Sequence, residues 1–193
     1  MMSSMTLPKI NAEKKNGTEK FQIESQTLDF DLSEFWSWNQ SDLIENRTRG
    51  ILAEFIVKKA LKIKSDKRVE WDNFDLITNK GSRLEIKSAA FIQSWEQEEY
   101  SNITFGISPT VGTTDNPEYD RVKRRWADFY IFCLLNNKDQ GTINPLDLSQ
   151  WTFFVLRTEI LNKHKPEQKT IGLNPLLELK PIECGFSDLG KVV

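Results

Sequence analysis

Apolar and polar residues alternate through Arg83-Leu84-Glu85-Ile86-Lys87, which puts Leu84 and Ile86 on one side of a strand and the three charged residues on the other. Upstream, Val69 to Thr78 alternates less regularly and sets Asp75 between Phe74 and Leu76. Asn79-Lys80-Gly81-Ser82 separates the two runs and has the chemistry of a short turn, so a hairpin is predicted. Ahead of it, Asn46 to Lys64 carries near-continuous apolar content over helical length. After it, Ser88 to Tyr100 reads as a helix or helical turn and Asn102 to Ile107 as a strand. Thr110 to Tyr119, with Gly112, Asp115 and Pro117, reads as a loop. Two apolar strands, Asp128 to Leu135 and Trp151 to Leu156, flank the polar segment Asn136 to Gln150, and Leu156 to Leu161 begins a short helical connection. The segment 1–26, rich in Lys, Glu, Asn and Ser, reads as mobile, and Ser33 to Trp38 as an N-terminal cap on the core. The residues after Pro166 are too irregular to place. The order of elements implies an α/β fold with a mixed central β-sheet, against which the Asn46 to Lys64 helix packs.

At 193 residues, with 38% hydrophobic and 11% aromatic content, the chain is long enough for one well-packed core and short for two, so 1–193 is expected to form a single domain. A net charge of −2 and a pI near 5.6 carry no global basic signature. Positive charge is instead local, in Arg121-Val-Lys123-Arg124-Arg125 and in Lys163, His164, Lys165 and Lys169, runs that also occur as plain solvated loops. Cys133 lies inside an apolar run and Cys184 has no spacing partner, so no disulfide framework is implied. His164 is the sole histidine, which disfavours both Cys/His metal ligation and a Ser-His-Asp hydrolase. The chain shows neither a signal-peptide pattern nor an apolar run of membrane-spanning length, and reads as cytoplasmic.

Closing the hairpin brings Asp75 towards Glu85, with Lys87 beside them. Two carboxylates, water and a phosphate oxygen suit a hard cation such as Mg²⁺. An acid and a base two positions apart on a strand are more commonly a weakly paired solvated face, so Asp-x9-Glu-x-Lys has little weight alone. Glu54 adds to it, being the only charge between Ile51 and Val57. A carboxylate in so apolar a helical turn needs a partner, which is either Lys58 one turn on or the hairpin cluster.

A helix bearing an acid, then Asp, then Glu-x-Lys on adjacent strands resembles the PD-(D/E)XK nuclease superfamily, also called restriction endonuclease-like; the matching residues are Glu54, Asp75 and Glu85-Ile86-Lys87. Arg49-Gly50-x3-Glu54, Glu85-Ile-Lys-Ser88-Ala89, Gln93-Ser-Trp95 and the run from Ala127 through Cys133 resemble a group of small single-domain prokaryotic proteins of that superfamily, over about Asn46 to Leu161. One departure is that Phe74, and not proline, precedes Asp75. The resemblance implies a restriction endonuclease-like core and metal-dependent hydrolysis of phosphodiester bonds in nucleic acid, DNA above all, by endo- or exonuclease action. It implies that Asp75, Glu85 and the backbone carbonyl of Ile86 hold Mg²⁺ (or Mn²⁺), that Glu54 holds a water or second ion, and that Lys87 orients or helps deprotonate the attacking water. Gln93 would position that water or the phosphate, while Arg49, Trp95, Lys123, Arg124 and Arg125 would contact nucleic acid. A homodimer suits double-strand cutting. The rival readings are a catalytically inactive nucleic-acid-binding module on the same fold and an interaction protein whose charges are incidental.

Overall fold

The computed structural model describes Leu7, Ile10, residues 12–65, Arg68, residues 73–112 and residues 122–193. It divides into two compact units, Met1–Ser41 and Asp42–Val193. In the first, strands β1 (Lys20–Ile23) and β2 (Gln26–Asp31) form an antiparallel hairpin, with the Phe21 and Phe30 rings 4.6 Å apart, and lead into helix α1 (Leu32–Gln40). Asp31 starts α1 because its carboxylate accepts from the Ser33 and Glu34 amides while the Glu34 side chain accepts from the Asp31 amide. β1 therefore lies inside the segment 1–26 that composition reads as mobile, and Ser33 to Trp38 lies within α1.

The second unit opens with α2 (Asn46–Ala60) and centres on a five-stranded sheet in the order β3-β4-β6-β7-β9. Its strands are β3 (Leu76–Ile77), β4 (Arg83–Ala90), β6 (Phe129–Leu135), β7 (Trp151–Arg157) and β9 (Ile182–Cys184). The β4/β6 pair is parallel and every other pair antiparallel, so the α/β class with a mixed sheet is observed. A two-stranded ribbon, β5 (Thr104–Gly106) with β8 (Thr170–Gly172), and the helices α3 (Thr158–His164), α4 (Leu173–Glu178) and α5 (Phe186–Val192) complete it.

Two apolar layers enclose the sheet. On one face Leu84, Ile86, Ile131, Cys133, Phe153 and Val155 pack with Ala53 and Val57 of α2 and Leu189 of α5. On the other, Tyr130, Phe132, Phe154 and Leu156 pack with Phe105 and Ile171 of the ribbon and with Leu161 and Leu176 of α3 and α4. α5 lies close to α2 because Gly190 has no Cβ; one would stand 3.1 Å from the Ala60 carbonyl oxygen.

Several expectations are corrected here. α2 ends at Ala60, not Lys64, where the Leu61 amide turns back onto the Val57 carbonyl and the Lys62 amide onto the Lys59 carbonyl. Ser88 to Tyr100 is not helical. Ser88, Ala89 and Ala90 extend β4 alongside Cys133, Leu134 and Leu135, and the following turn is held by side chains, with Gln97 accepting from the Gln93 amide. The tail after Pro166 contains β8, α4, β9 and α5, and its β9 closes the sheet edge against β7. Val69 and the start of its alternating run, Arg121, and most of the loop from Thr110 to Tyr119 lie outside the described residues.

Leu84 is completely buried directly behind Glu85. Leu84→Ala is expected to lower unfolding free energy by about 3 kcal/mol, read as a lower denaturant midpoint with unchanged slope.

Candidate active site

The turn that closes the hairpin requires Gly81, whose φ of 90° lies in the left-handed region. The Thr78 amide donates to the Ser82 carbonyl at 2.8 Å and the Gly81 amide to the Thr78 carbonyl at 2.9 Å. The resulting register pairs Leu76 with Leu84 and Ile77 with Arg83, which sets Asp75 just beyond the ladder, beside the stretch of β4 that carries Glu85. Asp75 stays attached where β3 ends. Its amide donates to the Leu84 carbonyl at 2.9 Å, and its Oδ2 accepts from the Ile86 amide at 2.6 Å. The N–H and C=O of one strand residue project the same way, so the Ile86 carbonyl faces this edge as well.

Glu85 and Lys87 point to the face opposite Leu84 and Ile86, and lie half-buried with Nζ and Oε1 2.5 Å apart. Glu54 comes from α2, and its partner is not Lys58. Both its carboxylate oxygens are held by the Arg68 guanidinium, at 2.6 Å from Nε to Oε2 and 2.8 Å from Nη2 to Oε1.

Electrostatics join the four predicted charges into one cluster. Burial pushes the Glu54 carboxyl above the ordinary carboxylate range and Asp75 adds to the shift, while Arg68 and Lys87 oppose it. Glu85 is also held high by burial, opposed by Lys87 and reinforced by Asp75 and Glu54. For Lys87 burial pulls downward, but Glu85, Asp75 and Glu54 together outweigh it, so the ammonium is held above its usual value and stays charged. For Glu54 and Glu85 the sign follows from linkage. A carboxyl raised in the folded state costs stability at neutral pH, and that cost is relieved as pH falls towards the ordinary carboxylate range.

Among the described residues of the cluster, Glu54, Asp75 and Glu85 carry three negative charges against the two positive ones of Arg68 and Lys87. An oxygen-only donor set with excess negative charge in a partly desolvated place fits a hard divalent cation. In the arrangement seen, Glu54 is turned to Arg68 and Glu85 to Lys87. Among the described residues, no three Asp, Glu, His or Cys side chains are gathered closely enough to hold an ion as they stand.

The remaining predicted residues have other surroundings. The Arg49 side chain is buried, and its guanidinium donates to Ser88 Oγ, the Ile44 carbonyl, Gln93 Oε1 and Asn46 Oδ1 at 2.6 to 3.2 Å. Burial lowers its pKa to about 10, which leaves it charged at neutral pH. Gln93 is buried too, and its amide nitrogen donates to the Ala90 carbonyl and Ser101 Oγ. In this arrangement both side chains act as braces that tie the start of α2 to the end of β4. Arg125 is likewise turned inward. It is buried, with its guanidinium donating to the Ile107, Lys165, Pro166 and Gln168 carbonyls and to Asn162 Oδ1. That clamp ties Arg125, at the end of one basic run, to residues 162–168, within which the second basic run begins. Lys123 and Arg124 are exposed, with the Arg124 guanidinium 4.0 Å from the Trp126 ring centroid. Trp95 is 53% exposed, which fits stacking on a base and not a place in the core.

Two site residues escaped sequence reasoning. Arg68 had a usable signal, because Glu54 needs a cation and the only basic neighbour weighed was Lys58. Tyr130 lies beside Glu85 in the parallel register, and its hydroxyl pKa is raised by burial and then by Glu85. Nothing in its apolar run marks it.

Arg49→Ala strands several buried acceptors and is expected to lower stability by about 3 kcal/mol. Arg49→Lys should recover little, since an ammonium cannot reproduce the planar fork. Chemical denaturation of both variants checks this.

The model of the bacteriophage T4 endonuclease IV family matches residues 2–175. The chain matches no curated protein. The matched span contains every residue of the charged cluster and its braces, and covers most of the 193 residues. The chain therefore belongs to the bacteriophage T4 endonuclease IV family, a family of nucleases.

Proposed function

We propose that the protein is a Mg²⁺- or Mn²⁺-dependent nuclease of the PD-(D/E)XK type that hydrolyses phosphodiester bonds in DNA. The observation that carries this reading is the gathering of Asp75, bonded to the Ile86 amide, with Glu85 on β4, with Lys87 2.5 Å from Glu85 and Glu54 within electrostatic reach. Membership of a family named for an endonuclease supports the class of reaction. DNA is the substrate its name suggests.

Asp75, Glu85 and the Ile86 carbonyl would hold the ion, with Glu54 completing the oxygen set. When bound, the ion supplies positive charge to the phosphodiester and acidity to a water molecule. Lys87 donates to Glu85, and the surrounding Glu85, Asp75 and Glu54 hold its ammonium charged. In that state Nζ would orient the attacking water and offset the negative charge that builds on the phosphate. Asp75 has a second duty, since its bond to the Ile86 amide holds the strand between Glu85 and Lys87 in place.

The grip on nucleic acid falls to the two basic runs, in which Lys123, Arg124, Lys163 and Lys169 are exposed. Trp95 offers a stacking face. Among the described residues no helix is long and apolar enough to cross a membrane.

Asp75→Ala and Glu85→Ala are each expected to lower Mg²⁺-dependent cleavage by about a thousandfold or more while the far-UV spectrum is retained. The assay should span supercoiled, linear and single-stranded DNA and RNA. Full activity in either variant would remove the site assignment; binding of DNA without cleavage by the native protein would favour the inactive module. Replacing Lys123 and Arg124 by Ala should flatten the salt dependence of DNA affinity by about one to two units of log–log slope. Turnover at saturating DNA should stay unchanged, and fluorescence anisotropy across a salt series gives the slope.

A further inference from the structure

The Arg68–Glu54 pair differs from the other buried guanidinium contacts in where it faces. Arg49 and Arg125 are buried at 2% and 7% exposure and bind carbonyl, amide and hydroxyl groups, whereas the Arg68 side chain is 34% exposed in front of a Glu54 side chain that is 11% exposed. The guanidinium is thus the outer layer and the carboxylate the inner one. Both oxygens of Glu54 are covered by the fork. Glu54 is also repelled by Asp75 and attracted by Lys87, which makes it a member of the charged cluster and not a separate surface pair.

From this geometry we infer that Arg68 is a displaceable internal counter-ion that occupies Glu54 in the metal-free protein and competes with the divalent cation for it. The inference rests on the metal-dependent reading above and adds a residue to it. A cation entering the cluster meets Asp75 with one oxygen on the Ile86 amide, Glu85 on Lys87, and Glu54 on Arg68. To bind the third carboxylate it must break a bidentate, charge-assisted pair, and the energy of that pair is subtracted from its affinity. Without the pair, the apo protein would hold a half-buried carboxylate beside two others, a cost that Arg68 relieves. Arg68 therefore stabilises the empty site and weakens the loaded one. It acts through Glu54 and is a positioning residue.

The test is Mn²⁺ binding to the full chain without nucleic acid, by calorimetry and by the shift of the thermal transition, for the native protein, Arg68→Gln and Arg68→Lys. Arg68→Gln is expected to melt lower without metal, to bind Mn²⁺ about tenfold more tightly, and to gain more thermal stability from it. Arg68→Lys should fall between, since it keeps the charge but not the fork. Adding Glu54→Gln to Arg68→Gln should abolish the gain, which a merely structural ion pair would not do. Equal or weaker Mn²⁺ affinity in a folded Arg68→Gln variant overturns the inference and leaves the metal site standing. If Arg68→Gln does not fold, Arg68→Lys decides, with tighter binding in favour and equal or weaker binding against. A native protein that binds no Mn²⁺ overturns the metal reading as well, so the two failures are distinguishable.

Discussion

Charges on the second strand of a sheet covered on both faces have little access to water, and that constraint organises the centre of the second unit. β4 is flanked by β3 and β6, with α2 behind it and the β5/β8 ribbon in front. Glu85 and Lys87 must therefore be satisfied by the protein or by something the protein binds. Their mutual pair, the nearby Asp75 and the Arg68-capped Glu54 are the internal solution. Among the described residues the solution is incomplete, because the carboxylates outnumber the cations and two of them are held above their ordinary range. Under the proposed metal-dependent reading that imbalance is an asset, since surplus negative charge in reduced dielectric attracts a divalent cation.

Where β3 ends decides where the site can open. The ladder with β4 has only two Cα pairs, Leu76 with Leu84 and Ile77 with Arg83. Beyond it, Asp75 takes the Ile86 amide with its side chain, so a carboxylate stands where a backbone carbonyl would otherwise be. Edge positions of a sheet normally need protection. Here the Ile86 carbonyl and the Asp75 carboxylate present oxygen to the same space.

Two buried arginines keep that space in shape from a distance. Arg49 joins the first turn of α2 to Ser88 and Gln93 beyond Lys87, while Arg125 clamps the chain entering β6 onto the segment that follows α3. In this arrangement both guanidinium groups are turned to acceptors of the protein itself. Each is multiply hydrogen-bonded in the interior, which is the condition under which a buried charge is tolerated. Their value to function is indirect, through the placing of Lys87 on one side and of the basic runs on the other.

Periodicity alone determined the hairpin, the faces of Glu85 and Lys87, the α2 helix and the two long strands β6 and β7. Each of these depends on local alternation or helical spacing that a short window contains. The anomaly of Glu54 was legible for the same reason, since one charge among apolar neighbours shows in seven residues. Its partner was not, because Arg68 is fourteen positions away and only the packing of α2 against the chain that follows it brings them together. The same limit explains Arg49, Gln93 and Arg125. Their residue types suit phosphate contact as well as they suit buried bracing, and burial is a property of the assembled layers. Ser88 to Tyr100 went astray because its glutamines satisfy backbone groups by side-chain bonds, which no periodicity records. The sequence by itself thus determined which charges would face one another across a turn; tertiary structure decided which of them the interior had already claimed, because long-range pairing and desolvation exist only once the sheet is covered.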